Sequence, residues 1–200
     1  MWDKLTVGQF ITLYDIEASA NLNIIEKQQK MLAVIEGKNE REYDDYKYRD
    51  LIQEYSEKLS FFNNIPEAKP VDYLQTVTNR YKFCYEIHEI TAGQYIDILA
   101  FSGEIMQLNK IAACFFLPMD GDKYKGYGVV PHDVVADDLL GANFLEVYAS
   151  MLFFCQLFNA LIETTITCSM QNQDLAKKAA RLWNAGAGYI APSRSQTLTT

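Results

Sequence analysis

The chain has 200 residues, 49% apolar and 22% charged, with 13 Tyr and 11 Phe: the composition of one globular unit with an unusual load of large aromatic surface, which suits interfaces as well as cores. Eighteen basic against 26 acidic residues leave a net charge of -8, which opposes a phosphate backbone and excludes a general binder of nucleic acid or anionic membrane, a local basic patch aside. Cys84, Cys114, Cys155 and Cys168 stand far apart in apolar or helical contexts without the paired spacing of metal or redox motifs, so they read as buried thiols in a reducing cytosol, and Met1-Trp2-Asp3-Lys4 does not begin a secretory signal.

The chain opens on a phrase it uses twice, Leu5-Thr6-Val7-Gly8-Gln9-Phe10-Ile11 and Ile90-Thr91-Ala92-Gly93-Gln94-Tyr95-Ile96. A threonine three residues before a glutamine is a capping box: the hydroxyl accepts from the third helical amide while the glutamine reaches back to the threonine amide. Thr6 with Gln9 and Thr91 with Gln94 therefore start two helices. Leu5 with Phe10 and Ile90 with Tyr95 occupy the positions of a hydrophobic staple around them.

Apolar residues from Phe10 to Ile35 keep close to helical spacing, so the first helical stretch is expected over most of 7–36, ending at Gly37. A second, very polar helix is expected from Asn39 through Tyr43, Tyr46, Leu51, Tyr55 and Leu59. Its narrow tyrosine-rich stripe suits the surface of its own domain or a partner met through the phenols. Pro66 and Pro70 break the helical period, and the alternation of Tyr73 to Thr78 and Tyr81 to Ile87 about Asn79-Arg80 predicts a β-hairpin. The second box resumes helix to about Leu108, weakened at Gly103. Ile111 to Leu117 fits a buried helical turn or a strand, with helix favoured. Met119 to Val130, with Gly121, Gly126 and Gly128, is expected as a loop that exposes Tyr124 and Tyr127. Pro131 opens a short helix toward Gly141. Asn143 caps the longest apolar segment, whose Phe144, Tyr148, Met151, Cys155, Phe158 and Ile162 make it the central core helix, while Glu146, Gln156, Asn159 and Glu163 argue against a membrane span. Gln171 to Trp183 reads as a last, more polar helix. Asn184 to Thr200 is small and polar, a composition without a fold of its own in isolation.

The fold class expected is mostly α, α+β by strict count: a helical domain with one small β-hairpin inserted between its N-terminal and C-terminal helices. By region these are N-terminal helices over 1–65, the hairpin over 66–90, a C-terminal helical core over 91–183 and a polar tail over 184–200, together one folded unit.

Chemistry is sparse. His88 and His132, the two histidines, lack a second ligand at metal spacing. Asp120-Gly121-Asp122 begins like a calcium loop but continues with Tyr124 and Lys125 where a ligand and a glycine are needed, and reaches Pro131 in place of glutamate. No phosphate loop, dinucleotide fingerprint or nucleophile elbow is present. Cys84 and His88 share a face if their strand runs that far, the minimum for a thiolate and base in a hydrolase, without an orienting group. The reading is a non-enzyme with no cofactor, no metal and no catalytic residues, whose candidate interface residues are Tyr43, Tyr46, Tyr124, Tyr127, Trp183 and Tyr189.

Leu-Thr-x-Gly-Gln-aromatic near the N-terminus, Tyr81-Lys82-Phe83 leading into Ile90-Thr91-Ala92-Gly93-Gln94-Tyr95-Ile96-Asp97, Ile111-Ala112-Ala113-Cys114 up to Pro118, Tyr124, and the aromatic helix at 151–158 resemble small tail-module proteins of tailed phages, the crAss-like phages in particular. Tail assembly chaperones, baseplate hub assembly proteins and the rings that join portal to tail belong to that group. The resemblance spans residues 5–162 and carries over no catalytic residue. It implies a virion protein of the tail or neck, made in the host bacterial cytoplasm. It further implies a homo-oligomer that packs through aromatic faces against copies of itself and other tail or neck proteins; the net charge, for its part, predicts no sequence-specific nucleic acid and no membrane among the partners. An acidic surface suits a lumen through which DNA slides. The alternative within the group is a soluble tail assembly chaperone that is not retained in the virion.

Overall fold

The computed structural model describes residues 2–64 and 67–169, the side chains of 158, 159 and 161–169 apart. Its helices are α1 (Val7–Ala18), α2 (Ile24–Glu36), α3 (Tyr48–Leu59), α4 (Ala92–Phe101), α5 (Leu108–Ala113), α6 (His132–Leu139) and α7 (Phe144–Ser169), and its strands β1 (Tyr73–Gln75), β2 (Arg80–Phe83), β3 (Phe116–Asp120) and β4 (Lys123–Tyr124). The mostly helical α+β class is as expected.

Both capping boxes form. Thr6 Oγ1 accepts from the Gln9 amide at 3.1 Å and Gln9 Oε1 accepts from the Thr6 amide at 3.1 Å. At α4 the same pair of bonds joins Thr91 and Gln94 at 3.2 and 3.3 Å. Each glutamine then spends its amide group on a distant carbonyl: Gln9 donates to Val34 O, tying α1 to α2, and Gln94 donates to Cys114 O at the end of α5. Asn143 caps α7 as expected, accepting from the Glu146 amide, and its own amide group donates to Asp3 O. The start of α1 is docked on the same corner, where Val7 N and Gly8 N donate to Ala142 O and Leu140 O. The amides of a first helical turn, which have no partner within the helix, are thus satisfied by the α6–α7 turn.

The long first helix expected over 7–36 is two helices. Asn23 accepts from the Ile25 and Glu26 amides, and Glu26 returns a bond to the Asn23 amide, so a third box starts α2. Gly37 ends α2 in the left-handed region as expected. A fourth box, Asn39 with Glu42, starts only a 3-10 turn over Glu40–Tyr43, and the helix expected from Asn39 begins at Tyr48. The helix of the second box ends at Phe101.

The single hairpin is also corrected. β1 and β2 pair antiparallel with Tyr73 opposite Lys82, but β2 also pairs with β3, Phe83 opposite Phe116, and β3 with β4, Asp120 opposite Lys123, in a four-stranded antiparallel sheet of order β1-β2-β3-β4. The apolar run at 111–117 therefore changes state midway. Its first part completes α5, and Phe116 and Leu117 fill the free edge of β2, because an unpaired buried edge leaves backbone groups unsatisfied. Asp120-Gly121-Asp122-Lys123, expected in a loop, is a two-residue turn with Gly121 at φ 59.

One cluster of buried side chains runs from Trp2 to Phe154, with Leu13, Leu32, Phe83, Phe115, Phe116, Leu139 and Phe144 within it. Its aromatic seam stacks Phe10 on Phe144 and Phe144 on Trp2, ring centres 3.8 and 5.6 Å apart. Asp138 locks the sheet to α6: Thr76, Thr78, Asn79 and Tyr81, all in or beside the β1–β2 turn, donate to its carboxylate.

Candidate interaction surface

The helix of the second capping box is built inside out. Of its ten residues only Gln94 is fully buried, at 4% exposure, while Ile98 and Phe101 pack half-buried beside it. Asp97, on the same side, accepts from the Tyr127 hydroxyl at 2.5 Å. The opposite side presents Ala92, Tyr95, Ile96, Leu99 and Ala100 to solvent, with Tyr95 40%, Ile96 63% and Leu99 48% exposed. At 3.6 residues per turn these five lie in an arc of roughly 140°. An apolar stripe at this spacing normally faces a core. Here polar groups hold the helix to the body and the stripe faces outward.

The cause lies beneath it. Gln94 needs the Cys114 carbonyl, and Asp97 faces Tyr127, so turning the stripe inward would bury polar groups without partners, a cost of several kcal/mol. Burial first, and then the bond to Asp97, push the Tyr127 hydroxyl far above the usual phenol range, so it donates at any physiological pH. His132 stacks on Phe101 with ring centres 4.9 Å apart, and its Nε2 lies 2.9 Å from Lys110 O. A carbonyl only accepts, so Nε2 carries the proton there. Carboxylates stand near both ends of the helix: Glu86 and Glu89 before it and Glu104 after it, all exposed.

The expected interface tyrosines scatter. Tyr43 is 1% exposed, a correction: the 3-10 turn points it inward and its hydroxyl donates to Glu36 at 2.8 Å. Tyr46 and Tyr124 are exposed as expected, and Tyr127, expected exposed, is half-buried and engaged with Asp97. Trp183 and Tyr189 lie outside the described residues, as do the expected helix over 171–183 and the polar tail. Sequence reasoning noted Tyr95 only as a staple residue and passed over Ile96 and Leu99, although the 92, 95, 96, 99, 100 spacing was there to be counted.

Among the described residues, Cys84 is not paired with His88 as a thiolate and base. The strand ends at Phe83, so Cys84 and His88 do not share a strand face. The Cys84 thiol donates to Lys82 O, and burial pushes it up to about 11, whereas the His88 ring is 79% exposed beside Glu86. Cys114 lies 3.6 Å from His132 Nε2, but burial pushes its thiol up to about 12. Both thiols stay protonated near neutral pH and are poor nucleophiles. Glu86, His88 and Glu89, all exposed, bring their ligand atoms within 4.8 Å of one another, the neighbour for His88 that spacing alone did not suggest. No helix among the described residues is long and apolar enough to cross a membrane.

No protein-family model, curated protein or solved structure matches the chain.

Proposed function

We propose that the protein is a non-enzymatic structural subunit of a phage virion, a ring-forming component of the tail or head–tail connector that assembles through apolar contacts. The outward apolar stripe of α4 on an acidic body is the observation that carries this reading, since a helix that turns Gln94 and Asp97 toward its own domain while leaving Tyr95, Ile96 and Leu99 in solvent is shaped for a neighbour. Neutral thiols at Cys84 and Cys114 favour assembly over catalysis. The repeated Thr-x-Gly-Gln phrase and the aromatic helix supply the likeness to phage tail proteins. Mass spectrometry of purified phage particles tests the proposal: the chain is expected in multiple copies per particle, and its absence would overturn the structural role.

The same stripe also suits a soluble tail assembly chaperone that covers an apolar helix of a client, because one exposed helical face is enough for such a clamp. That reading requires the chain in infected cells, bound to a tail protein, and its absence from finished particles.

A further inference from the structure

We infer that the outer face of the four-stranded sheet binds a short stretch of single-stranded nucleic acid without regard to its sequence, with phosphates on Arg80 and Lys82 and a base on Tyr124.

Strand pairing assembles the face. Tyr73 opposes Lys82, Lys82 opposes Leu117 and Met119 opposes Tyr124, while Arg80 stands two positions before Lys82, so these six residues share one side of the sheet. The other side carries Leu74, Tyr81, Phe83 and Phe116, each at 2% exposure or less, and is packed into the core. On the outer side Tyr73, Arg80 and Tyr124 are exposed, Lys82 and Met119 are half-buried, and Leu117 is buried.

Charge selects the ligand. Residues 73–83 hold Arg80 and Lys82 and no acidic residue, and the strand carboxylate Asp120 falls on the other side, opposite Lys123 and paired with Lys125 at 3.7 Å. The Tyr73 ring braces both cations, with Arg80 Cζ 4.3 Å and Lys82 Nζ 4.9 Å from its centre. Among the described residues neither cation has a carboxylate partner, and neither side chain donates a hydrogen bond. A guanidinium and an ammonium held beside one ring with their N–H groups free present the donors that a phosphate needs.

The rest of the face selects a single strand. Tyr124 is exposed and stands two strand spacings from β2, roughly 10 Å, with Met119 between. Its ring is free to take an unstacked base, which a duplex does not offer. An acidic protein segment would use the cations and leave that ring idle. Contacts of this kind meet phosphates and ring faces rather than base edges, so they carry no sequence preference. The net charge of -8 repels phosphate from the remaining surface and confines the strand to this side.

Fluorescence anisotropy of a labelled oligothymidylate titrated with the full-length chain tests this. Binding with a dissociation constant on the order of 10–100 µM, weakening as salt rises, is expected. R80E/K82E is expected to weaken it about tenfold or more, and Y124A about fivefold. K47E/R49E, the same change of charge on exposed residues at the start of α3, is expected to leave it within about twofold. Should R80E/K82E lose its thermal transition, R80Q/K82Q takes its place, with an expected loss of about fivefold. Equal losses in K47E/R49E and R80E/K82E, a Y124A variant that binds as the wild type does, or duplex DNA that competes as well as the single strand overturns the inference. So does absence of binding, and self-association that R80E/K82E abolishes would then seat a second copy of the chain on this face. None of these outcomes bears on whether the chain is found in particles, which is decided separately by mass spectrometry.

Discussion

Gly8 and Gly93 occupy the same place in the repeated phrase and have opposite surroundings. A Cβ on Gly8 would sit 3.2 Å from the Leu140 carbonyl oxygen, which already accepts from the Gly8 amide, so neither partner can move without losing that bond. A Cβ on Gly93 meets nothing within 4 Å. G93A is therefore expected to stabilise by about 0.5–1 kcal/mol, because alanine in a helix loses less backbone freedom on folding. G8A is expected to destabilise by about 1–3 kcal/mol through overpacking. Thermal denaturation of the two variants checks the signs, and equal shifts would contradict the corner contact. The threonine and glutamine of each box were legible because both bonds are local. The tasks of Gln9 on Val34 and of Gln94 on Cys114 were not, since they depend on which element arrives opposite. Tyr43 was misplaced for the same reason: a phenol in a polar stretch looks solvated until Glu36 is found beneath it.

Among the elements, breaks were harder to read than starts. The two asparagine boxes, Asn23 with Glu26 and Asn39 with Glu42, use the same chemistry as the threonine boxes, and overlooking them merged α1 with α2 and lengthened α3. The sheet was half visible. Alternation marks β1 and β2, whereas β3 opens on the buried pair Phe116 and Leu117 and pairs with a strand over thirty positions earlier, and no local period reports that pairing. The join between sheet and α6 rests on Asp138. Burial alone would raise its carboxyl, but donors from Thr78, Tyr81, Thr76 and Asn79 outweigh it and hold the group below the usual carboxylate value of 3.8. A lowered native value means that the stabilisation is full above pH 3.8 and is lost as pH falls below it through the native value. D138N is expected to remove that part of the acid dependence. D138A is expected to cost about 2 kcal/mol at neutral pH by stripping the partners from four donors, which chemical denaturation at pH 7 and pH 3 would measure. Unaltered stability of D138A at neutral pH would show that the β1–β2 turn is held by other contacts.

At the level of the whole molecule, the candidate surface escaped notice because an apolar stripe read from sequence is assigned inward by default. The direction of α4 is decided by two polar residues on its other side, and only the positions of Cys114 and Tyr127 reveal that Gln94 and Asp97 have partners waiting below. Composition bears on this level only in bulk: part of the aromatic surplus fills the core seam of Trp2, Phe10 and Phe144, and part, Tyr95 on the exposed stripe included, stays at the surface.

A helix fastened by a glutamine, a carboxylate and two half-buried side chains has little holding it against brief detachment. Amide deuteration should therefore run orders of magnitude faster in the second half of α4 than at Val147 to Phe154 of α7, whose side chains fill the interior. Comparable protection in both would mean that α4 opens only when the whole chain unfolds. An element fastened through polar contacts and two half-buried side chains can change its tilt without opening a large apolar void behind it, so α4 is the part of the fold where a bound neighbour would meet the least resistance to adjustment.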